Sequence, residues 1–164
     1  MPPNGSPVRI DPVDRRATVR TFVRALGRGD AEAAAAVCTD DVRLTSQGFE
    51  RAWTGAAGIA ALLDAAAGRW DEHRTIPNRF VDLPDGRILM LASVSGRSAR
   101  SHSGYTVACL YAFADGRLSG ADAYHDQAAA FAAAGLSTAD VKGLGEAAGP
   151  AGLPRAQPLS QNPR

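Results

Sequence analysis

Val107-Ala108-Cys109-Leu110-Tyr111-Ala112-Phe113-Ala114-Asp115-Gly116-Arg117-Leu118 is the stretch that decides the fold class. Asp-Gly set between runs of strand-forming residues is a strong hairpin signal. The same dipeptide returns at Asp85-Gly86. Working outward from the two turns, residues 75–83, 87–95, 102–114 and 117–124 read as four consecutive strands of a meander. In the second of them Ile88, Met90 and Ala92 alternate with Leu89 and Leu91. Apolar residues on both faces suit a sheet covered on both sides, and a second copy of the chain is the expected cover on one of them.

Upstream of the meander the periodicity is helical. Asp11 reads as an N-cap, with Pro12 at the first helical position. Val19, Phe22, Val23 and Leu26 then fall at i, i+3, i+4 and i+7, and Gly27 and Gly29 end the helix. Asp30 caps a short second helix over 31–38, and a short strand runs through Val42 and Leu44 toward Gly48. Phe49 and Trp53 fall in the following loop. Thr54 caps a third helix carrying Ile59, Leu62, Leu63, Ala66 and Trp70, which ends near His73. Downstream, Asp126 caps a last helix over 127–134, and Gly135 stops it.

Helices and strands that segregate along the chain mean α+β. The predicted architecture is a cone-shaped α+β barrel over residues 12–136. Three N-terminal helices pack on a curved antiparallel sheet, and a short C-terminal helix closes it. Residues 1–11 read as a flexible lead. Residues 137–164, rich in Pro, Gly and Ala, have too few large apolar side chains to offset their ordering entropy and read as a mobile tail. A cone of this kind encloses a concave, mainly apolar site for a small molecule.

Composition narrows the function. The 164 residues and 17.0 kDa hold one domain of ordinary make-up, 45% hydrophobic and 21% charged. A net charge of +1 argues against nucleic acid as a partner. No apolar run is long enough to span a membrane, and residues 1–11 lack the apolar region of a secretory signal, so a cytoplasmic location is expected. Cys38 and Cys109 are too few for a disulfide framework or a thiolate zinc site, and three histidines without paired spacing give no metal motif. Among the basic residues, Arg16, Arg20, Arg24 and Arg28 recur every fourth position. Such a stripe is a solvated helix face, or a docking site for an acidic partner such as an acyl carrier protein.

The run Phe22-Val23-Arg24-Ala25-Leu26-Gly27-Arg28-Gly29-Asp30, the following Asp40-Asp41-Val42, the helix over 55–63, the hairpin Phe113-Ala114-Asp115-Gly116-Arg117-Leu118 and the closing Tyr124-His125-Asp126 together resemble the SnoaL-like family of the nuclear transport factor 2-like superfamily. The resemblance spans roughly residues 12–136. It implies the conical fold, commonly as a homodimer, with chemistries that include ketosteroid isomerisation, polyketide cyclisation, epoxide hydrolysis and dehydration. It also implies that the isomerase positions for base, tyrosine and second acid fall at Ser46, Phe22 and Cys109, so that constellation is replaced. The acid of a SnoaL-type cyclase falls near Ala123, with Asp122 and His125 as its neighbours.

His125 is the first candidate for proton transfer, since imidazole titrates near neutral pH and strand alternation sets it on the face of Ala121 and Ala123. The bland alternative is a surface histidine at a strand end. Asp122 alternates to the opposite face, as an orienting group or a surface charge. His73 reads as a pocket residue, or as a histidine at a helix C-terminus where imidazolium is favoured. Tyr105, Cys109 and Tyr111 share one strand face, where a tyrosine hydroxyl could donate to an oxyanion or the row is simply core. Phe49, Trp53 and Trp70, with Phe22, Ser46, Cys109 and Tyr111, would line the substrate site. The leading expectation is a cofactor-independent enzyme that cyclises or isomerises an apolar, carbonyl-bearing, polyketide-like metabolite by acid/base catalysis. A non-catalytic binding or dimerising module that has lost the catalytic carboxylates is the alternative.

Overall fold

Asp115 and Gly116 both take positive φ, 49° and 81°, and Ala114 pairs with Arg117 across them. This is the two-residue turn whose twist matches that of the strands it joins. Asp85-Gly86 works differently. Gly86 N–H bonds to Leu83 C=O at 3.0 Å and Leu83 N–H to Arg87 C=O at 2.9 Å. Pro84 and Asp85 are therefore the centre of the turn, and Gly86, at φ 87°, is the left-handed residue that follows it.

A computed structural model describes residues 12–47, 49–137, 139–140 and 142–143. The expected lead, the cap at Asp11 and most of the expected tail lie outside the described residues. In the described part of the tail, Ser137 and Asp140 bond reciprocally. Ser137 N–H donates to Asp140 Oδ2 at 2.8 Å, and Asp140 N–H to Ser137 Oγ at 3.2 Å.

The elements run α1 (Pro12–Gly27), α2 (Ala31–Ala36), β1 (Cys38–Ser46), β2 (Phe49–Thr54), α3 (Gly55–Ala67), β3 (Glu72–Asp82), β4 (Ile88–Ser98), β5 (Ser101–Ala114), β6 (Arg117–Tyr124) and α4 (Gln127–Ala133). The sheet order is β2-β1-β6-β5-β4-β3. The meander is antiparallel as the turns imply, but β1 lies parallel to β6, so the sheet is mixed. Several boundaries differ from the sequence reading. The second helix stops at Ala36, so Cys38 opens β1 instead of closing a helix. Phe49 and Trp53 are on a strand rather than in a loop, because β2 folds back on β1 with Leu44 opposite Trp53 and Ser46 opposite Phe49. His73 is on β3, opposite Gly96, and not at a helix end, because α3 stops at Ala67. Asp30 and Asp126 cap as expected, accepting from Ala33 N–H at 2.9 Å and Ala128 N–H at 3.0 Å. Thr54 holds the N-cap position of α3 without a side-chain bond.

One face of the sheet carries Val42, Leu44, Met90, Ala92, Val94, Val107, Tyr111 and Leu118, buried with Val19, Phe22 and Val23 of α1 and Ile59 of α3. On the other face Leu89, Ala108 and Leu110 pack beneath Ala130 and Phe131 of α4, with Ala134 and Leu136 just beyond it. The two-sided apolar pattern of β4 is thus satisfied within the chain. It is not by itself the mark of a second copy.

Candidate functional site

At the end of the sheet where α1 and α3 terminate, the helices stand off the strands and leave a cavity of about 370 Å³. Its apolar wall is Leu26 from α1, Leu62, Leu63, Ala66 and Ala67 from α3, Phe49 from β2 and Trp70. Facing them are Ser46 at the end of β1, Tyr105 from β5 and His73 from β3, with Arg28, Arg69 and Asp71 at the margin. Trp70 is placed by a small residue. A Cβ at Gly96 would stand 2.5 Å from its indole, so the ring can rest there only because β4 carries glycine opposite His73.

The electrostatics divide the labour between the two titratable groups. Burial lowers the His73 pKa from its ordinary 6.5, so at neutral pH the imidazole is uncharged and can accept a proton. Burial raises the Tyr105 pKa above its ordinary 10.0, opposed by the nearby Arg69 guanidinium, so the phenol keeps its proton and can donate. A neutral base and a neutral donor on one apolar chamber are what proton abstraction next to a carbonyl needs.

The other sequence candidates separate by position. Tyr105, His73, Ser46, Phe49 and Trp70 come together at the cavity. His125 lies one residue beyond β6, exposed, with its ring 5.1 Å from that of Tyr105, and so it stands behind the donor rather than in the lining. Its backbone N–H donates to Gln47 Oε1 at 2.7 Å, which ties the end of β6 to β1's exit. Asp122 alternates away from the cavity and accepts a hydrogen bond from Thr45 Oγ1. Phe22, Trp53 and Tyr111 belong to the packed core between helices and sheet. Phe22 meets Tyr111 edge-on at 6.3 Å, and Trp53 meets Phe49 at 5.1 Å. Cys109 packs against that core, engaged with the Tyr111 hydroxyl.

Burial pushes the Cys109 thiol up to about 12 and that of Cys38, which donates to Ala34 C=O at 3.2 Å, to about 11. Neither is a nucleophile at neutral pH. A thiol-specific disulfide reagent at pH 8 is expected to leave both unmodified in the folded protein and to titrate both in concentrated urea. Rapid modification of Cys109 under native conditions would contradict its assignment to the core.

The arginine stripe is also redistributed. Arg16 pairs with Asp82, Arg20 lies 4.6 Å from the Phe80 ring centroid, and Arg28 borders the cavity. Sequence reasoning did not single out Arg69, Asp71 or Gly96. Only the glycine within a strand carried a recognisable signal, that of close approach by another group.

A curved sheet carrying helices over an apolar chamber, with its polar groups at one end, is the nuclear transport factor 2-like architecture. The chain belongs to the SnoaL-like domain family, which matches it over residues 19–121. Among solved structures it is similar to TerC co-crystallised with polyporic acid, at 17% identity and a TM-score of 0.63, covering 71% of this chain and 94% of that one. An NTF2-like protein of unknown function from Burkholderia pseudomallei matches at 21% identity and a TM-score of 0.62, covering 73% and 95%. A protein named as a candidate polyketide cyclase from Sinorhizobium meliloti matches at 20% identity and 0.57, covering 70% and 99%. These likenesses establish the fold. No curated protein matches the chain in sequence. Among the described residues no helix is long and apolar enough to cross a membrane.

Proposed function

We propose that the protein is a cyclase or isomerase that acts on an apolar, carbonyl-bearing, polyketide-like small molecule by proton transfer within the cavity. The observation that carries this reading is that a neutral His73 and a protonated Tyr105 border the same chamber, whose wall is mainly aliphatic and aromatic and whose other polar residues are Ser46, Arg28, Arg69 and Asp71. Family membership and the likeness to a candidate polyketide cyclase support the same chemistry.

In this reading His73 takes a proton from the carbon next to a substrate carbonyl. The C–H electron pair moves into a carbon–carbon double bond, and the carbonyl oxygen becomes an enolate oxyanion that Tyr105 O–H stabilises. For cyclisation the enolate carbon attacks a second carbonyl of the same molecule, and the imidazolium returns its proton to the new alkoxide. For isomerisation the proton returns to a different carbon. His125 positions the Tyr105 ring. The apolar wall holds the chain folded so that the two carbons meet, which replaces a costly ordering step in solution.

The test is exchange of the α-protons of 1-tetralone in deuterated buffer, followed by NMR. The protein is expected to accelerate exchange above the buffer rate, and Tyr105→Phe to remove roughly a hundredfold to a thousandfold of that acceleration, the loss of one oxyanion donor. No acceleration over buffer by the unaltered protein, or equal rates in the two proteins, sinks the proposal. Calorimetric binding of the ketone without exchange would move the protein to the second reading, a binding module. Replacement of the isomerase positions by Phe22, Ser46 and Cys109 favours that alternative.

A further inference from the structure

Two arginines stand at the mouth of the cavity, outnumbering the single carboxylate there, Asp71. Arg28 sits in the turn between Gly27 and Gly29 that ends α1, and Arg69 follows Gly68 at the end of α3. Both line the cavity, both are exposed, and neither enters an ion pair among the described residues. The Arg69 guanidinium lies 4.7 Å from the ring centroid of Phe49, itself a wall residue. Such stacking fixes the plane of the guanidinium while leaving its N–H edge free. Asp71 Oδ2 accepts from Ala99 N–H at 2.9 Å, which turns that oxygen toward the β4–β5 end while the two guanidinia keep the local balance positive. A more polar groove adjoins the cavity at Gly27 and His73. It adds Arg74 and Arg97, and its one carboxylate, Glu72, pairs with Arg97. Positive potential therefore gathers at one end of an apolar chamber, in a chain whose net charge is only +1.

We infer that the natural ligand carries a carboxylate, held at the mouth by Arg28 and Arg69 while its ring body occupies the apolar wall. The inference rests on the cavity being the substrate chamber, and it adds the substrate's ionic class to that reading. A guanidinium fork matches the two carboxylate oxygens, and such charge-assisted contacts are about twice as strong as neutral ones. The arrangement also orients the substrate. With its anionic end at the arginines, the ligand has to present its interior carbons toward the wall side of the chamber. A carrier-bound thioester, whose acyl end has no free carboxylate, does not satisfy it.

Isothermal calorimetry at low salt, with 2-naphthoate and methyl 2-naphthoate as matched probes, tests the assignment. The acid is expected to bind about tenfold or more tightly than the ester. Arg69→Gln is expected to lose that advantage, so that acid and ester bind alike, Arg69→Lys to keep part of it, and 0.5 M salt to mimic the loss. Equal affinity of the unaltered protein for acid and ester overturns the carboxylate site and leaves the cavity reading standing. So does retention of the acid preference in the Arg28→Gln, Arg69→Gln double variant. Absence of binding by both probes overturns the site and the cavity together. Carboxylate-selective binding without tetralone exchange would instead uphold the site and sink the catalytic reading alone.

Discussion

His73→Gln is expected to slow cavity-dependent α-proton exchange by about a hundredfold to ten-thousandfold, the range for removing a positioned general base. Glutamine retains the polarity and approximate reach of imidazole but cannot take the proton, so binding of the ketone should change little. The pH profile separates this role from a structural one. Burial lowers the His73 pKa below 6.5, so the working, neutral form persists somewhat below that pH and is lost as acid protonates it. The rate should therefore rise with pH through a pKa below 6.5 and stay level across neutrality. Tyr105, raised above 10.0, loses its proton only in strong alkali. In the glutamine variant the acid limb should vanish. Stability follows the same sign. The folded protein binds the proton at His73 less readily than the unfolded chain, so protonation favours unfolding, and this contribution falls away as the pH drops through 6.5 toward the folded value. An unchanged rate with an intact acid limb would remove His73 from the mechanism.

Gly58→Val is expected to cost about 3 kcal/mol of stability, at the upper end of what overpacking a core produces. The reason is geometric. A Cβ on Gly58 would lie 2.8 Å from the Trp53 carbonyl carbon, 3.0 Å from its Cβ and 3.2 Å from its Cα. Backbone cannot turn aside as a side-chain tip can, so α3 would have to lift from β2. Gly68→Ala is the matched control. The added Cβ meets only carbonyl oxygens at 3.6 Å, in a residue already at φ −69°, so stability should hold or rise slightly. Urea unfolding of the two variants reads the difference directly. A Gly58→Val protein as stable as the Gly68→Ala one would mean that β2 and α3 do not pack as described.

Much of the framework is legible along the chain. Asp115-Gly116 marks its hairpin because two adjacent positive-φ residues are hard to supply otherwise. The α1 stripe marks its buried face, and Asp30 and Asp126 mark two helix starts. Where the local signal belongs to two structures at once, it points to the wrong element. Phe49 to Trp53 has no regular alternation, and only its partner β1 makes it a strand. Trp70 to His73 continues the spacing of α3, yet Gly68 ends the helix and His73 begins the sheet edge.

The site divides along the same line. His73, Tyr105, Ser46, Phe49 and Trp70 were recognisable as candidates, because polar and aromatic residues on the predicted inner faces are few. Their separation from Cys109, Tyr111, Phe22 and Trp53 was not, since all occupy inward positions and depth along the cone has no sequence period. The α+β order, the hairpins and the inward faces are written locally, because propensity, turn chemistry and alternation act over neighbouring residues. Which inward side chains border the cavity and which are packed shut follows from the folded packing of distant segments. That packing alone also set Arg28 and Arg69 beside each other's chamber from turns 41 positions apart. Where helix ends leave the sheet is fixed by contacts between distant segments, such as Trp70 on Gly96 and Gly58 on Trp53, and no local pattern encodes those.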